Sequence, residues 1–261
     1  MITLGQMLKA VMPIPLQQRL LKSLATPQQR DLLSFTHSMT FFEDGLATKH
    51  NADFMKDARF LRAYELGKQT GSWRHYVIHW RAYVACWAAS MGALHEGDFV
   101  ECGVYRGGFS RMIIDYINFS SLNKQFYLLD TYEGLEDSLI LESERKRGIK
   151  AGTYESSYED VVATFASFPM VKVIKGIVPD TLSQVASNKI AYLSIDMNNR
   201  TPEIATATFF WDLLVSGAVI LLDDYGFTNY IDQKMGFDEF AKERNVPILS
   251  MPTGQGIIIK P

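Results

Sequence analysis

The residues best suited to chemistry fall in three clusters, each at the end of a short apolar run. The first is Glu101-Cys102-Gly103-Val104-Tyr105-Arg106-Gly107-Gly108-Phe109-Ser110. Glycines after a strand let the backbone turn tightly and a ligand approach closely. The helix that follows aims its first N–H groups at that ligand. The spacing is G-x-x-x-G-G, whereas the dinucleotide fingerprint G-x-G-x-x-G would need glycine where Tyr105 stands. A pyrophosphate is poorly served by a neighbouring acid. Glu101 instead suits a cationic or amino-bearing ligand, and S-adenosylmethionine carries both a sulfonium and an α-amino group. A strand-to-helix turn with no ligand is the plainer alternative for the same residues.

Asp130 ends the next apolar run, 130 − 101 = 29 residues after Glu101. An acid there can accept both hydroxyls of an adenosine ribose, because neighbouring parallel strands face one crevice with their carboxyl ends. It can equally cap its own loop. Thr131 and Tyr132 are placed to flank an adenine, and Gly176-Ile177 to close its other side. Val104 and Tyr105, between the glycines, belong to the same cofactor-contacting set.

The third cluster is acidic: Asp196, then Asp223-Asp224 after 223 − 196 = 27 residues, one strand–helix–strand unit. Adjacent parallel strands lie about 4.8 Å apart, so carboxylates at their ends converge. Three such groups repel one another and resist ionisation unless a cation or a shared proton compensates. Oxygen ligands alone favour a hard ion such as Mg²⁺, Ca²⁺ or Mn²⁺. The alternative is that one Asp caps a helix and another pairs with Arg200 or Lys234.

Two further features are tempting. His75 and His79 stand four apart, as zinc ligands often do, yet no third soft ligand accompanies them. They read better as packing or surface residues. The run Glu144-Arg145-Lys146-Arg147 reads as a solvated loop rather than a binding patch for an acidic substrate.

The elements that must position these residues change character along the chain. Residues 1–95 carry helical patterns and no convincing strand: MLKAVM and LQQRLLKSL, split by Pro13 and Pro15, then 52–69 and the long apolar stretch 73–94. From Asp98, strands (98–104, 125–132, 171–176, 190–196, 218–224, then PILSMP and GIIIK) alternate with helices (FSRMIIDYINFS, 158–168, 203–215 and MGFDEFAKERN). That alternation predicts right-handed βαβ units and a mostly parallel seven-stranded α/β sheet with helices on both faces. Residues 133–157 are charged and too long for a plain connection, as active-site lids are. The predicted organisation is a helical extension or cap over 1–95 and a catalytic domain over 96–261 with the lid-like insertion inside it.

Composition narrows the classes. The 261 residues carry 26 Lys+Arg against 29 Asp+Glu, a formal net charge of −3, with no basic excess for a general nucleic-acid binder. No apolar run approaches the roughly 20 residues of a membrane span. Nothing at the amino terminus reads as a signal peptide. Two Cys, Cys86 and Cys102, cannot build a disulfide framework and point to a cytoplasmic protein. The apolar helix over 76–94 makes a homo-oligomer, a dimer or larger, the expectation.

FVECGVYRGGFS, LLDTYEGL, VIKGIVPDTL, YLSIDM and GAVILLDDYG occur in that order. The series resembles the macrocin O-methyltransferase (TylF-type) family from about residue 98 to 261. The resemblance implies a Rossmann-like class I fold, S-adenosylmethionine, a divalent metal (usually Mg²⁺), and methylation of a hydroxyl on a sugar or phenolic natural product in secondary metabolism. It implies that Glu101, Gly103, Gly107 and Ser110 border the methionine part and that Asp130 holds the ribose. Asp196, Asp223 and Asp224 match the metal ligands, with Asp196 also the general base. The family commonly reads D-x-D-x-Y where this chain has Asp196-Met197-Asn198-Asn199-Arg200. Asn198 can bond a hydroxyl but cannot take its proton, so a cofactor-binding homologue without methyl transfer is the alternative. A nicotinamide-dependent oxidoreductase on the same sheet is another.

Overall fold

Five apolar runs of five to nine residues pair as strands because side chains on alternate sides of each meet a different apolar layer. The computed structural model describes residues 39–261. The helical patterns MLKAVM and LQQRLLKSL lie outside the described residues. The chain forms two compact units, Met1–Ala52 and Asp53–Pro261.

In the first unit, β1 (Phe41–Glu43) pairs antiparallel with β2 (Leu46–Thr48), Phe41 opposite Thr48. Asp44 and Gly45 link them with φ of 52° and 74°, the positive values that a two-residue hairpin turn favours. This corrects the purely helical reading of residues 1–95. Asp-Gly between the triplets Phe-Phe-Glu and Leu-Ala-Thr is a local hairpin signal.

The second unit opens with α1 (Ala58–Gln69) and α2 (His79–Gly92). Asp57 caps α1 by accepting from the Phe60 N–H at 2.8 Å. Then follow β3 (Asp98–Cys102), α3 (Gly108–Tyr116), β4 (Phe126–Asp130), α4 (Glu142–Lys146), α5 (Tyr158–Phe165), β5 (Val171–Lys175) and β6 (Ile190–Ile195). The chain ends with α6 (Arg200–Phe210), β7 (Leu214–Leu222), α7 (Ile231–Glu243), β8 (Leu249–Ser250) and β9 (Gly256–Ile259). The seven strands lie in the order β5-β4-β3-β6-β7-β9-β8, with β9 antiparallel to both β7 and β8 and the other pairs parallel. The expected mostly parallel seven-stranded sheet is therefore what the chain forms. The reversal of winding falls between β3 and β6, where ligands bind in such sheets.

Alternation along the strands feeds two cores. Phe99, Phe126, Leu128, Tyr192, Val219 and Leu221 face one layer with Phe60, Tyr64, Ala82 and Ala85 of α1 and α2 and Met112 of α3. Val100, Leu129, Leu193, Ile195 and Ile220 face the other, with Ala207 and Phe210 of α6 and Phe237 and Phe240 of α7. The apolar stretch of α2 is thus spent on the sheet: Ala82, Ala85, Cys86, Ala88 and Ala89 are fully buried. Cys86 and Cys102 are free and buried. The predicted helix over 203–215 is shorter in the structure. It yields at Trp211–Leu213 to a 3-10 turn and then to β7, because Leu214 is buried in the second core.

Candidate active site

The carboxyl ends of β3, β4, β6 and β7 carry the three predicted clusters. β3 sits between β4 and β6, Glu101 lying opposite Leu128 on one side and Ser194 on the other. Asp130 closes the junction of β3 and β4. Its Oδ2 accepts from the N–H groups of Val104 (2.6 Å) and Tyr105 (2.8 Å), and its Oδ1 from the Tyr132 N–H (2.7 Å). A carboxylate offers about four lone-pair sites, and here backbone donors of the loop take three, while the Thr131 hydroxyl favours the Gly134 carbonyl at 2.5 Å over Oδ1 at 3.3 Å. Asp130 as it stands shapes the glycine-bearing turn, the loop-capping alternative for this residue.

Glu101 is buried, and its Oε2, like Ser110 Oγ, has no hydrogen-bond partner. Burial pushes its carboxyl up to about 8, with Asp130 and Asp223 adding to the shift and Ser110 opposing it. Gly103 stands at φ +89°, and a Cβ there would lie 1.7 Å from the Asp196 carbonyl oxygen. Its missing side chain is what lets the turn after β3 pass over the end of β6. The space beside Gly107 is filled by the Phe165 ring and that beside Gly108 by Ser72, so these two glycines serve the seating of α3. Gly176 donates its N–H to the Asp130 carbonyl at 2.9 Å, and Ile177 beside it is 36% exposed. Tyr132 turns inward: its ring is buried and its hydroxyl donates to the Leu128 carbonyl at 2.9 Å. It is not placed to flank an adenine. Tyr105, Tyr132 and Asn198 hold φ of 50°, 56° and 59°, left-handed values uncommon outside glycine. All three sit in the turns just after strands that end at this site.

Asp196, Asp223 and Asp224 each offer an oxygen within 4.8 Å of the others. The Asp223 carboxylate pairs with Arg81 of α2 at 2.9 Å and accepts from Gln255 Nε2 at 2.9 Å. Asp224 Oδ2 is buried without a partner. Burial, reinforced by neighbouring carboxylates, holds Asp196 and Asp224 well above the usual carboxylate range. Among the described residues, Arg81 is the cation paired with this crowded set of acids, through Asp223. Arg200 and Lys234 pair with Glu239 and Asp238 instead. Asn198 Nδ2 donates to Asp196 Oδ1 at 3.1 Å, and Asn198 Oδ1 accepts from the hydroxyls of Tyr154 (3.2 Å) and Tyr230 (2.6 Å). Arg81, Gln255, Tyr154 and Tyr230 escaped the reading of the sequence; no spacing ties Arg81 to a carboxylate 142 residues away.

The run Glu144–Arg147, expected to be a solvated loop, lies in and just after α4 and is docked through Glu144, while Arg145 and Lys146 are exposed. The buried Glu144 accepts from the N–H of Arg200 at 2.7 Å and of Leu141 at 2.8 Å, capping α6 with a residue of α4. Arg147 pairs with Asp232, Arg145 with Asp137. Ser157 Oγ donates to the Tyr105 carbonyl at 2.7 Å. His75 lies ahead of α2 and stacks on Tyr76, whereas His79 opens α2 and stacks on Tyr64. The two share no helix face and serve ring packing.

The family model for macrocin O-methyltransferase (TylF) matches residues 85–250. No curated protein matches the chain by sequence. Among solved structures, the O-methyltransferase NovP is similar at TM-score 0.60 and 20% identity, over 69% of this chain and 79% of that one. The calicheamicin methyltransferase CalS11 is similar at TM-score 0.54 and 14% identity, over 80% and 94%. An O-methyltransferase from Bacillus cereus in complex with SAH is similar at TM-score 0.50 and 12% identity, over 78% and 91%. At these identities the structures speak for the fold, and the family rests on the sequence match. Because that match spans more than half of the chain and includes the ends of β3, β4, β6 and β7, this protein belongs to the macrocin O-methyltransferase (TylF) family and is an S-adenosylmethionine-dependent O-methyltransferase.

Proposed function

We propose that the protein methylates a hydroxyl of a sugar or phenolic natural product with the help of a hard divalent cation, in the cytoplasm. The observation that carries this reading is the acid cluster: three carboxylates within 4.8 Å, one buried oxygen of Asp224 without a partner, and, among the described residues, one arginine paired with the set through Asp223. An all-oxygen, net anionic donor set fits Mg²⁺ or Mn²⁺. A divalent ion bound there supplies the Lewis acidity that lowers the pKa of a nearby hydroxyl. S-adenosylmethionine supplies an electrophilic methyl group.

The chain's own residues do the rest. Glu101, a buried acid with one unpartnered oxygen, answers the positive amino-acid end of the cofactor, supported by Ser110, Gly103 and Gly107. Asp130 addresses the ribose once its loop donors yield, with Val104, Tyr105, Thr131, Gly176 and Ile177 around the nucleoside. Arg81 and Gln255 hold Asp223 in place. Asp196, which a bound cation would keep ionised, takes the acceptor's proton; the acceptor oxygen takes the methyl group and S-adenosylhomocysteine leaves. Gly103 brings the two reactant sites together, which turns a bimolecular step into an oriented one. Segment 133–157 excludes water.

The test offers labelled S-adenosylmethionine and a panel of sugar and phenolic hydroxyls. Turnover is expected to vanish in excess EDTA and return with Mg²⁺. D223N is expected to lose turnover while binding S-adenosylhomocysteine within about twofold of the wild type, a limit well under the tenfold that 1.4 kcal/mol makes. Full turnover in excess EDTA removes the metal from the mechanism.

A further inference from the structure

We propose that Asn198, held by Tyr154 and Tyr230, is a positioning residue that aims Asp196 and ties that aim to the seating of segment 133–157. The inference rests on the reading of Asp196 as the base. Two phenol O–H groups converge on Asn198 Oδ1, at 3.2 Å from Tyr154 and 2.6 Å from Tyr230. Burial, with Asp196 and Asp224 nearby, holds both phenols above their ordinary range, so they remain donors. Two donors on one side of a carboxamide decide which end is oxygen. The amide nitrogen is then directed at Asp196 Oδ1, 3.1 Å away. A carboxylic acid or a hydroxyl at position 198 would leave that end free to exchange roles; an amide so clamped cannot.

The backbone selects the same residue. Asn198 stands at φ 59°, a left-handed position that Asn tolerates better than most side chains. The three contacts come from three places in the chain. Asn198 follows β6, Tyr230 precedes α7, and Tyr154 belongs to the lid-like segment, where its ring also meets Tyr105 edge-on at 5.2 Å. Tyr154 therefore spans the glycine-bearing turn after β3 and the acid cluster. When residues 150–156 lift, Asn198 keeps the Tyr230 donor but loses that of Tyr154, and its amide holds Asp196 less firmly.

The side-chain amide of Asn198 is observable in ¹⁵N-labelled protein and is identified by its loss in N198D. Its two proton signals are expected to be split by the Asp196 bond in the wild type. The split shrinks in Y154F and collapses to that of a free amide in the Y154F/Y230F double variant. Deuterium uptake over 150–156 is expected to rise about fivefold in N198A, the effect of one lost hydrogen bond on local opening. It stays at the wild-type level in N198D, whose carboxylate still accepts from both phenols. S-adenosylhomocysteine affinity stays within about twofold in every variant, well short of the tenfold that 1.4 kcal/mol makes. Amide signals that ignore both tyrosine substitutions overturn the proposal, as does an N198D protein whose 150–156 segment opens like that of N198A. A tenfold loss of S-adenosylhomocysteine affinity in N198D also overturns it, by putting Asn198 in the cofactor pocket. Failure of wild-type methyl transfer, with these signals as expected, would instead count against the proposed reaction alone.

Discussion

Glu101 shows how one residue can be both a liability and a binding group. Its carboxyl is buried, one oxygen lacks a partner, and burial pushes its pKa up from 4.5 to about 8. Below pH 4.5 the group is protonated in folded and unfolded chains alike. Between 4.5 and about 8 the unfolded chain has released the proton and the folded chain has not, so the ligand-free protein loses stability as pH rises through that window. E101Q removes the effect. Its Tm is expected to exceed that of the wild type at pH 8 by at least about 3 °C, the shift that about 1 kcal/mol makes in a chain this size. The gain shrinks toward zero at pH 5. Its affinity for S-adenosylhomocysteine falls about tenfold, since an ion pair with the α-ammonium becomes a bond from that ammonium to a neutral amide. Equal melting differences at the two pH values would show that burial of this carboxyl is not what sets its state. At this scale the sequence exposed the acids, because each ends an apolar run, but not their partners. The crowding of carboxylates around Asp196 was legible; that Arg81 pairs with one of them was not.

Among the elements, the short helix α4 matters beyond its five residues. Glu144 supplies acceptors to the first N–H of α6 and to its own Leu141, and Asn199 Nδ2 donates to the Leu139 carbonyl at 3.1 Å. The lid-like segment is thereby stitched to the helix that follows Asp196. E144A strips an acceptor from two backbone donors. The expected cost is about 2 kcal/mol in urea unfolding, with faster hydrogen exchange over 139–149 and little change in β3, β4 or β6. Uniformly faster exchange across the sheet would mean that Glu144 stabilises the whole unit and not this joint. The sequence marked 133–157 by its length and charge, and it marked the strands by their β-branched and aromatic runs. It did not mark Glu144 as buried, since an E-R-K-R run looks solvated whenever its partners lie elsewhere. The β1–β2 hairpin had a local signal in Asp44-Gly45, too short to stand out from helical surroundings.

For the whole molecule, what counts is which parts share a core. Phe60, Tyr64, Trp73 and Ile78 are buried with Phe99, Phe126 and Tyr192 in one apolar layer, and the compact unit begins at Asp53. A chain beginning at residue 53 is expected to unfold in one cooperative transition by circular dichroism. One beginning at residue 96 exposes the part of one sheet face that α1 and α2 cover and is expected to lack that transition, because burial of such apolar area is the main favourable term in folding. A cooperative melt of the 96–261 chain would make α1 and α2 an appendage. No helix among the described residues is long and apolar enough to cross a membrane.

By itself the sequence determined the kind of sheet and the ends at which chemistry is possible. Apolar period and turn residues are local properties, and parallel strands put their last residues on one edge whatever the details between. Only the tertiary structure decided who faces whom. Arg81 meets Asp223 across 142 residues, and Asn198 meets Tyr154 across 44 and Tyr230 across 32. A hydrogen-bond partner is chosen by position in space, and no periodicity along the chain encodes it.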